Sequence, residues 1–225
     1  MTAATRDGVA HGMAGTPPLW IKICGLRTHE AIRAAAEAGA NALGFVFHAG
    51  SPRNLDPGAA RELQRAVPAG IERVAVFLHP VQALVDEVLA AVAPDWVQTD
   101  ADDLATLRLP AGLRVLPVLR SGRPWPSRAA DLPSRCLLEG ARSGAGERAD
   151  WQAAAQLARA TELVLAGGLD PANVAEAVRA VRPFGVDVSS GVERERGVKD
   201  PARIRQFVRA ARAAERTLSV EESPQ

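Results

Sequence analysis

The chain has 225 residues, 47% of them hydrophobic and 24% charged, enough apolar material for one well-buried core and too little for two. Lys and Arg number 27 against 26 Asp and Glu, so the net charge of +1 supplies no positive field for a phosphate polymer, and nucleic acid is not an expected partner. The two cysteines, Cys24 and Cys136, form no Cys-x-x-Cys pair, and no run approaches the roughly 18 apolar residues of a membrane span, which suits a reducing cytoplasm without a disulfide framework, zinc ribbon or membrane.

Residues 1–18 mix Arg, Asp, His and Gly without the apolar stretch of a signal peptide and read as a disordered tail. From Leu19 onward, short apolar runs alternate with amphipathic ones. The predicted strands are Leu19–Cys24, Ala42–Phe47, Arg73–Leu78, Trp96–Thr99, Arg114–Leu119, Arg135–Glu139, Leu163–Ala166 and Gly185–Val188. Helical spacing is clear in Val85, Val88, Leu89 and Val92, and again in Ile204, Phe207, Val208 and Ala211. Asp56-Pro57, Asp170-Pro171 and Asp200-Pro201 each place a capping carboxylate before a proline at the first helical position, where a missing N–H costs nothing. Two stretches break the pattern. Ser121–Pro133 holds three prolines and predicts a loop in place of the fifth helix, and Pro117 lies inside the fifth strand, where a bulge would accommodate its missing donor.

Strands that are apolar almost throughout, each followed by a helix, imply a parallel sheet with helical crossovers. Eight such units close a single-domain (βα)8, or TIM, barrel over residues 19–214, with a degenerate fifth helix and a second tail over 215–225. In such barrels the reacting groups sit at the C-terminal ends of the strands. Glycines follow three consecutive strands there: Gly144 and Gly146 after the sixth, Gly167-Gly168 after the seventh, and Ser189-Ser190-Gly191 after the eighth, places where backbone N–H groups can surround a phosphate.

Strand parity sorts the remaining candidates. Trp20, Lys22 and Cys24 share the inward face of the first strand, and closure brings Lys22 beside Asp187 of the eighth as a buried pair. Cys136 turns outward into core packing. Cys24 ends its strand before Gly25 and stands at the barrel mouth. At about 7 Å and an effective dielectric near 20, Lys22 lowers the thiol pKa by at most about 1.7, and Asp187 cancels much of that, so a modestly activated thiol acting as a proton base is expected.

Lys22-Ile23-Cys24-Gly25-Leu26, Gly44-Phe45-Val46-Phe47 with Ser51-Pro52-Arg53, Leu165-Ala166-Gly167-Gly168-Leu169, and Gly185 through Glu193 followed by Gly197 and Lys199-Asp200 resemble the phosphoribosylanthranilate isomerases of tryptophan biosynthesis. The resemblance runs from about Leu19 to Arg212. It implies an Amadori rearrangement of a phosphosugar with no metal or organic cofactor: an acid opens the furanose ring to a protonated imine, and a base removes the C2 proton. It assigns the base to Cys24 and the acid to Glu139, where the family carries an aspartate, and gives Arg53 the anthranilate carboxylate. Lys22 and Asp187 join the substrate-binding set. The extra methylene at Glu139 moves the carboxyl by roughly 1 Å, and closure of the loop from Gly140 to Ala149 would have to desolvate it. A second departure places Asp100 at the rim within Val97-Gln98-Thr99-Asp100-Ala101, where the family carries Gln-Leu-His-Gly; Asp100 is either an influence on Glu139, a weaker substitute acid, or a helix cap.

Three other readings compete. Gly144-Ala145-Gly146-Glu147-Arg148-Ala149 fits a dinucleotide G-x-G-x-x-A pattern, but eightfold alternation does not build a doubly wound sheet. A related barrel acting on another phosphosugar would share the phosphate glycines but not Cys24 with Arg53. A non-catalytic phosphosugar-binding barrel is the third, prompted by Glu139 and Asp100. The sequence leaves the oligomeric state open.

Overall fold

The computed structural model describes residues 18–126, 128–141 and 146–221. Residues 1–17 of the tail expected over 1–18, Gly144 and the last four residues lie outside them. The strands β1 (Trp20–Cys24), β2 (Ala42–Val46), β3 (Glu72–Val76), β4 (Trp96–Asp100), β5 (Arg114–Arg120), β6 (Arg135–Glu139), β7 (Glu162–Leu165) and β8 (Gly185–Val188) form one closed barrel in sequence order. All eight neighbouring pairs are parallel, and β1 meets β8 with Lys22 opposite Asp187. This closed sheet, not a doubly wound one, is what the alternating pattern builds.

Helices α1 (His29–Ala38), α2 (Pro57–Gln64), α3 (Gln82–Ala91), the single-turn α4 (Ala101–Leu104), α5 (Trp151–Leu157), α6 (Val174–Val181) and α7 (Pro201–Glu221) cover the outside. The apolar stripes predicted on α3 and α7 face inward: Val85, Val88, Ile204, Phe207, Val208 and Ala211 are all buried against the strands' outer faces. No α-helix follows β5 among the described residues; a single 3-10 turn over Ala129–Asp131 stands there, as the prolines require. Pro117 introduces no bulge. The register with β4 runs unbroken from Trp96–Arg114 to Asp100–Val118, and pairing with β6 begins only at Val118, so the proline precedes that ladder.

Two boundaries differ from the sequence reading. Asp170 makes the capping contacts, its Oδ1 accepting from the N–H groups of Ala172 (2.7 Å) and Asn173 (3.0 Å) and its carbonyl from the Val174 N–H (3.1 Å), but residues 171–173 form a turn and the helix proper starts at Val174. Residues 215–221 are helical, not a tail. Glu215 within α7 accepts the Leu19 N–H at 2.6 Å, and Arg212 reaches the Gly39 carbonyl and Asn41 Oδ1, so the last helix fastens the edge of the first strand.

The two ends of the barrel differ in chemistry. At the N-terminal end, Trp20, Trp96 and Phe184 close the pore, with the Arg135 guanidinium 4.0 Å from the Phe184 ring centre and 4.9 Å from that of Trp96, and Arg114 4.4 Å from Trp96. Above them Ala42, Val74, Leu116, Val118, Leu137, Val164 and Ala166 fill the interior as one apolar cluster. Apart from Arg114, Arg135 and Glu72 around this aromatic plug, the polar inward residues stand toward the C-terminal mouth.

Candidate active site

The mouth is a cavity lined by strand tips and the loops that follow them, and it holds Cys24, Arg53, Glu139, Asp187, Ser189 and Ser190 together with Gly146, Gly167 and Gly168. The positions expected to supply a base, an acid, a carboxylate clamp and a phosphate cradle thus converge on one space. Gly191 lies just behind it, its α-carbon facing the Leu169 carbonyl so closely that no side chain fits.

Cys24, the last residue of β1, is 6% exposed. Gly44 opposite it in β2 makes the room: a methyl group there would lie 3.0 Å from Cys24 Sγ and 3.1 Å from Lys22 Cε. Lys22 is fully buried and donates to Asp187 Oδ1 at 2.8 Å, the pair that parity predicts. Burial by itself lowers the Lys22 pKa, but the Asp187 carboxylate and then Cys24 outweigh it and hold the ammonium above its usual value. The thiol differs from the sequence expectation. Burial is the largest influence on Cys24 and Asp187 adds to it; together they outweigh Lys22 and Lys199 and push the thiol pKa up, not down. Cys136 is completely buried on the outer face, its thiol pushed up to about 11 by burial, and takes no part in the mouth.

Arg53 is fixed by a partner that the sequence reading did not single out. Its Nε and Nη2 donate to the two carboxylate oxygens of Glu193 at 2.7 and 2.9 Å, a bidentate pair with both residues buried. Glu193 opens the short strand β9 (Glu193–Glu195), which pairs with β10 (Val198–Lys199) in a hairpin beyond β8. Lys199 Nζ donates to Glu193 Oε1 (2.8 Å) and the Ser189 carbonyl (2.9 Å), and the Gly197 N–H donates to Glu193 Oε2 (3.0 Å). Burial would raise the Glu193 pKa, yet the hydrogen bonds from Arg53 and Lys199 and that backbone amide bring it down to about 2. For Lys199 burial prevails over Glu193, and its pKa is lowered.

Ser189 stands at the mouth, with its hydroxyl turned to the protein: Oγ donates to the Cys24 carbonyl at 3.1 Å and lies 3.2 Å from Lys199 Nζ. A chain of contacts therefore runs from the hairpin through Ser189 to the backbone of the thiol residue. The glycines after β6 and β7 meet backbone to backbone. Gly167 and Gly168 have φ of +83° and +66°, and a side chain on Gly167 would strike the Glu147 carbonyl and the Gly140 amide, while one on Gly168 would strike Arg148. The described end of the loop after β6 is seated on the loop after β7. Gly146, with φ of +72°, lies against Ser190 Oγ.

Glu139, the last residue of β6, shares the mouth with a second buried arginine absent from the sequence reading. Arg120, at the tip of β5, donates from Nη2 to Asp100 Oδ1, and its Nη1 lies 3.1 Å from Glu139 Oε1. Asp100 is buried at the tip of β4 and its side chain makes no cap to α4. The carboxylate Asp103 of α4 instead takes the hydroxyl of Thr99 (2.7 Å) and His79 Nδ1 (3.0 Å). Arg120 extends the inward parity of Leu116 and Val118 by one step, the signal that would have revealed it.

Comparison with known proteins converges on one family. Residues 21–210 match the family model for N-(5′-phosphoribosyl)anthranilate isomerase. The N-(5′-phosphoribosyl)anthranilate isomerase of Bordetella pertussis is 40% identical over 217 residues, covering 87% of this chain and 96% of that one. Its counterpart in Pseudomonas aeruginosa is 41% identical over 210 residues, covering 89% and 98%. Among solved structures, phosphoribosyl anthranilate isomerase from Thermus thermophilus superposes with a TM-score of 0.74 at 30% identity over 87% of this chain and 99% of its own. A phosphoribosyl anthranilate isomerase in complex with reduced 1-(o-carboxyphenylamino)-1-deoxyribulose 5-phosphate gives 0.67 at 32% identity with the same coverage. Among the described residues no helix is long and apolar enough to cross a membrane.

Proposed function

Since the chain belongs to the N-(5′-phosphoribosyl)anthranilate isomerase family, we propose that Cys24 is the general base and Glu139 the general acid of its reaction. The reaction is the isomerisation of N-(5′-phosphoribosyl)anthranilate to 1-(2-carboxyphenylamino)-1-deoxyribulose 5-phosphate, a step of tryptophan biosynthesis. The observation that carries the residue assignment is that a thiol at the tip of β1 and a carboxyl at the tip of β6 line one cavity, which is also walled by the glycines after β6 and β7 and by Ser190.

Glu139 delivers its proton to the furanose ring oxygen as the C1–O bond breaks and the aniline nitrogen lone pair forms the C1=N bond of a cationic imine. That cation acidifies the C2 hydrogen. The Cys24 thiolate accepts it, the C2–H electrons form a C1=C2 bond, and the imine nitrogen is neutralised. The enolamine then loses its hydroxyl proton and gains a proton at C1, giving the ketose. We assign the phosphate to the backbone amides of Gly167, Gly168, Ser190 and Gly191 with Gly146 beside them, and the anthranilate carboxylate to the Nη1 end of Arg53. Lys22 holds the cation beside the thiol and Asp187 holds Lys22. Ser189 contributes by fixing the Cys24 backbone and not by its hydroxyl reaching the substrate. The unpaired cysteines suit a cytoplasmic setting.

Turnover is read from the fluorescence of freshly made phosphoribosylanthranilate with purified protein. Cys24→Ser and Glu139→Gln should each lower kcat by about 10²-fold or more with KM little changed. Full activity in either variant contradicts the assignment of that residue.

A further inference from the structure

Gln98 stands one inward step below Asp100 on β4, in register with Val76 of β3 and Leu116 of β5. It is 4% exposed and lines the cavity at the mouth. Its strand neighbours belong to the apolar layer that fills the barrel, and among the described residues neither end of its amide has a hydrogen-bond partner, with Oε1 completely buried. An unpaired amide in an apolar layer costs free energy that a methionine or leucine in its place would not. The partner that this amide lacks within the described protein has to come from what fills the cavity.

The place of Gln98 in the ring says which part of the substrate it meets. Arg53, after β2, is assigned the carboxylate on the aryl ring, and Glu139, on β6, the ring oxygen bonded to C1. The arylamine nitrogen joins these two parts, and β4 is the strand midway between β2 and β6 in the closed barrel. The nitrogen keeps its hydrogen from the aminoaldose to the ketose, and it carries positive charge only in the imine. A carbonyl acceptor binds a charged N–H more strongly than a neutral one. Since neither end of the amide is tied, it turns about its last torsion without losing a bond and presents Oε1 to the cavity.

We infer that Gln98 is a further substrate-binding residue, whose Oε1 accepts the N–H at C1 and holds the cationic imine more tightly than the starting aminoaldose or the ketose. This role rests on the isomerase reading of the mouth and deepens it. The amide takes no proton, so Glu139 and Cys24 keep both transfers. The strand fixes the height of the amide before the ligand arrives, so an acceptor already stands where the positive charge develops. Stability given up by leaving the amide unpaired in the free protein is recovered in the charged intermediate, which speeds the reaction without tightening the hold on the neutral substrate.

The test compares Gln98→Met and Gln98→Glu with the unaltered protein. Gln98→Met keeps the length of the side chain and removes both polar ends, and kcat for phosphoribosylanthranilate should fall about 10- to 100-fold. Reduced 1-(o-carboxyphenylamino)-1-deoxyribulose 5-phosphate keeps a neutral amine at C1, so its dissociation constant should change by less than about threefold. Gln98→Glu, which retains an acceptor, should recover part of the kcat that Gln98→Met loses. The urea midpoint of ligand-free Gln98→Met should be unchanged or higher, because an unpaired amide has left an apolar layer. Unchanged kcat in Gln98→Met, a kcat for Gln98→Glu below that of Gln98→Met, or a loss of analogue affinity as large as the loss of kcat overturns the proposal. So does a lowered midpoint or a Gln98→Met protein that does not fold, since the amide would then be holding the barrel together. An unaltered protein that leaves phosphoribosylanthranilate untouched sinks the isomerase reading itself, whereas an active one matched by an equally active Gln98→Met sinks only the role of Gln98.

Discussion

Cys24 shows how much of a reactive residue's behaviour is decided by its neighbours. The sequence places Lys22 two positions away on the same face and suggests activation, but packing turns the balance, because burial and Asp187 together outweigh the two lysine charges. A thiol held mostly protonated is a proton base that forms thiolate only in the minor species, and protonation of the substrate imine supplies the driving force. Gly44 is the residue that permits the arrangement. Gly44→Ala would put a methyl group 3.0 Å from Sγ and 3.1 Å from Lys22 Cε, in a strand whose backbone cannot give way on either side. We expect kcat to fall by about 10- to 100-fold with KM little changed, as for a displacement of up to 1 Å, measured by steady-state turnover. Unchanged kcat would show that the thiol does not need its observed position.

At the scale of elements, the hairpin β9–β10 organises the mouth although no candidate catalytic residue lies on it. Its Glu193 grips Arg53 and Lys199, and Lys199 reaches Ser189 and through it the Cys24 backbone. The Glu193 pKa of about 2 against a usual value of 4.5 stabilises the folded state above about pH 4.5, and this contribution fades as pH falls toward 2. Glu193→Gln should therefore lower stability by on the order of 3 kcal/mol at pH 7, with a gap that narrows steadily below pH 4.5. Urea unfolding of both proteins across that range checks it; a gap independent of pH would contradict the ion-pair account. This hairpin also marks where the sequence was hard to read. Period-two parity fixes which way Lys22, Asp187, Cys136 and Glu139 point, because a strand repeats every two residues. Glu193 and Lys199 sit on strands of three and two residues, too short to show a period, and Arg53 lies in a loop 140 positions from Glu193. Arg120 was legible in principle by extending the parity of β5 one residue beyond Leu119. Asp170 was legible as a cap, but the helix proper starts three residues later than Pro171 suggested, after a turn over residues 171–173.

For the whole molecule, the two ends of one closed sheet serve different purposes. The N-terminal end is sealed by Trp20, Trp96 and Phe184 beneath Arg135 and Arg114, and α7 ties the first strand into the closed ring through Arg212 and Glu215. That rigidity lets strand tips from across the ring hold a thiol, a carboxyl and a cradle of amides at fixed separations over the pore. The alternation of elements and the closure of β8 on β1 could be read from the residues, since buried parallel strands need helical crossovers on every side. The meeting of opposite strand tips depends on the tilt and size of the barrel, which no local pattern records. A crystal structure of this protein with reduced 1-(o-carboxyphenylamino)-1-deoxyribulose 5-phosphate tests the central assignment most directly. Cys24 Sγ should lie within about 4 Å of the ligand's C2, the Glu139 carboxyl within hydrogen-bond reach of the former ring oxygen, and the phosphate on the amides after β7 and β8. A ligand seated with its phosphate there but with either Cys24 or Glu139 turned away from the sugar would contradict it.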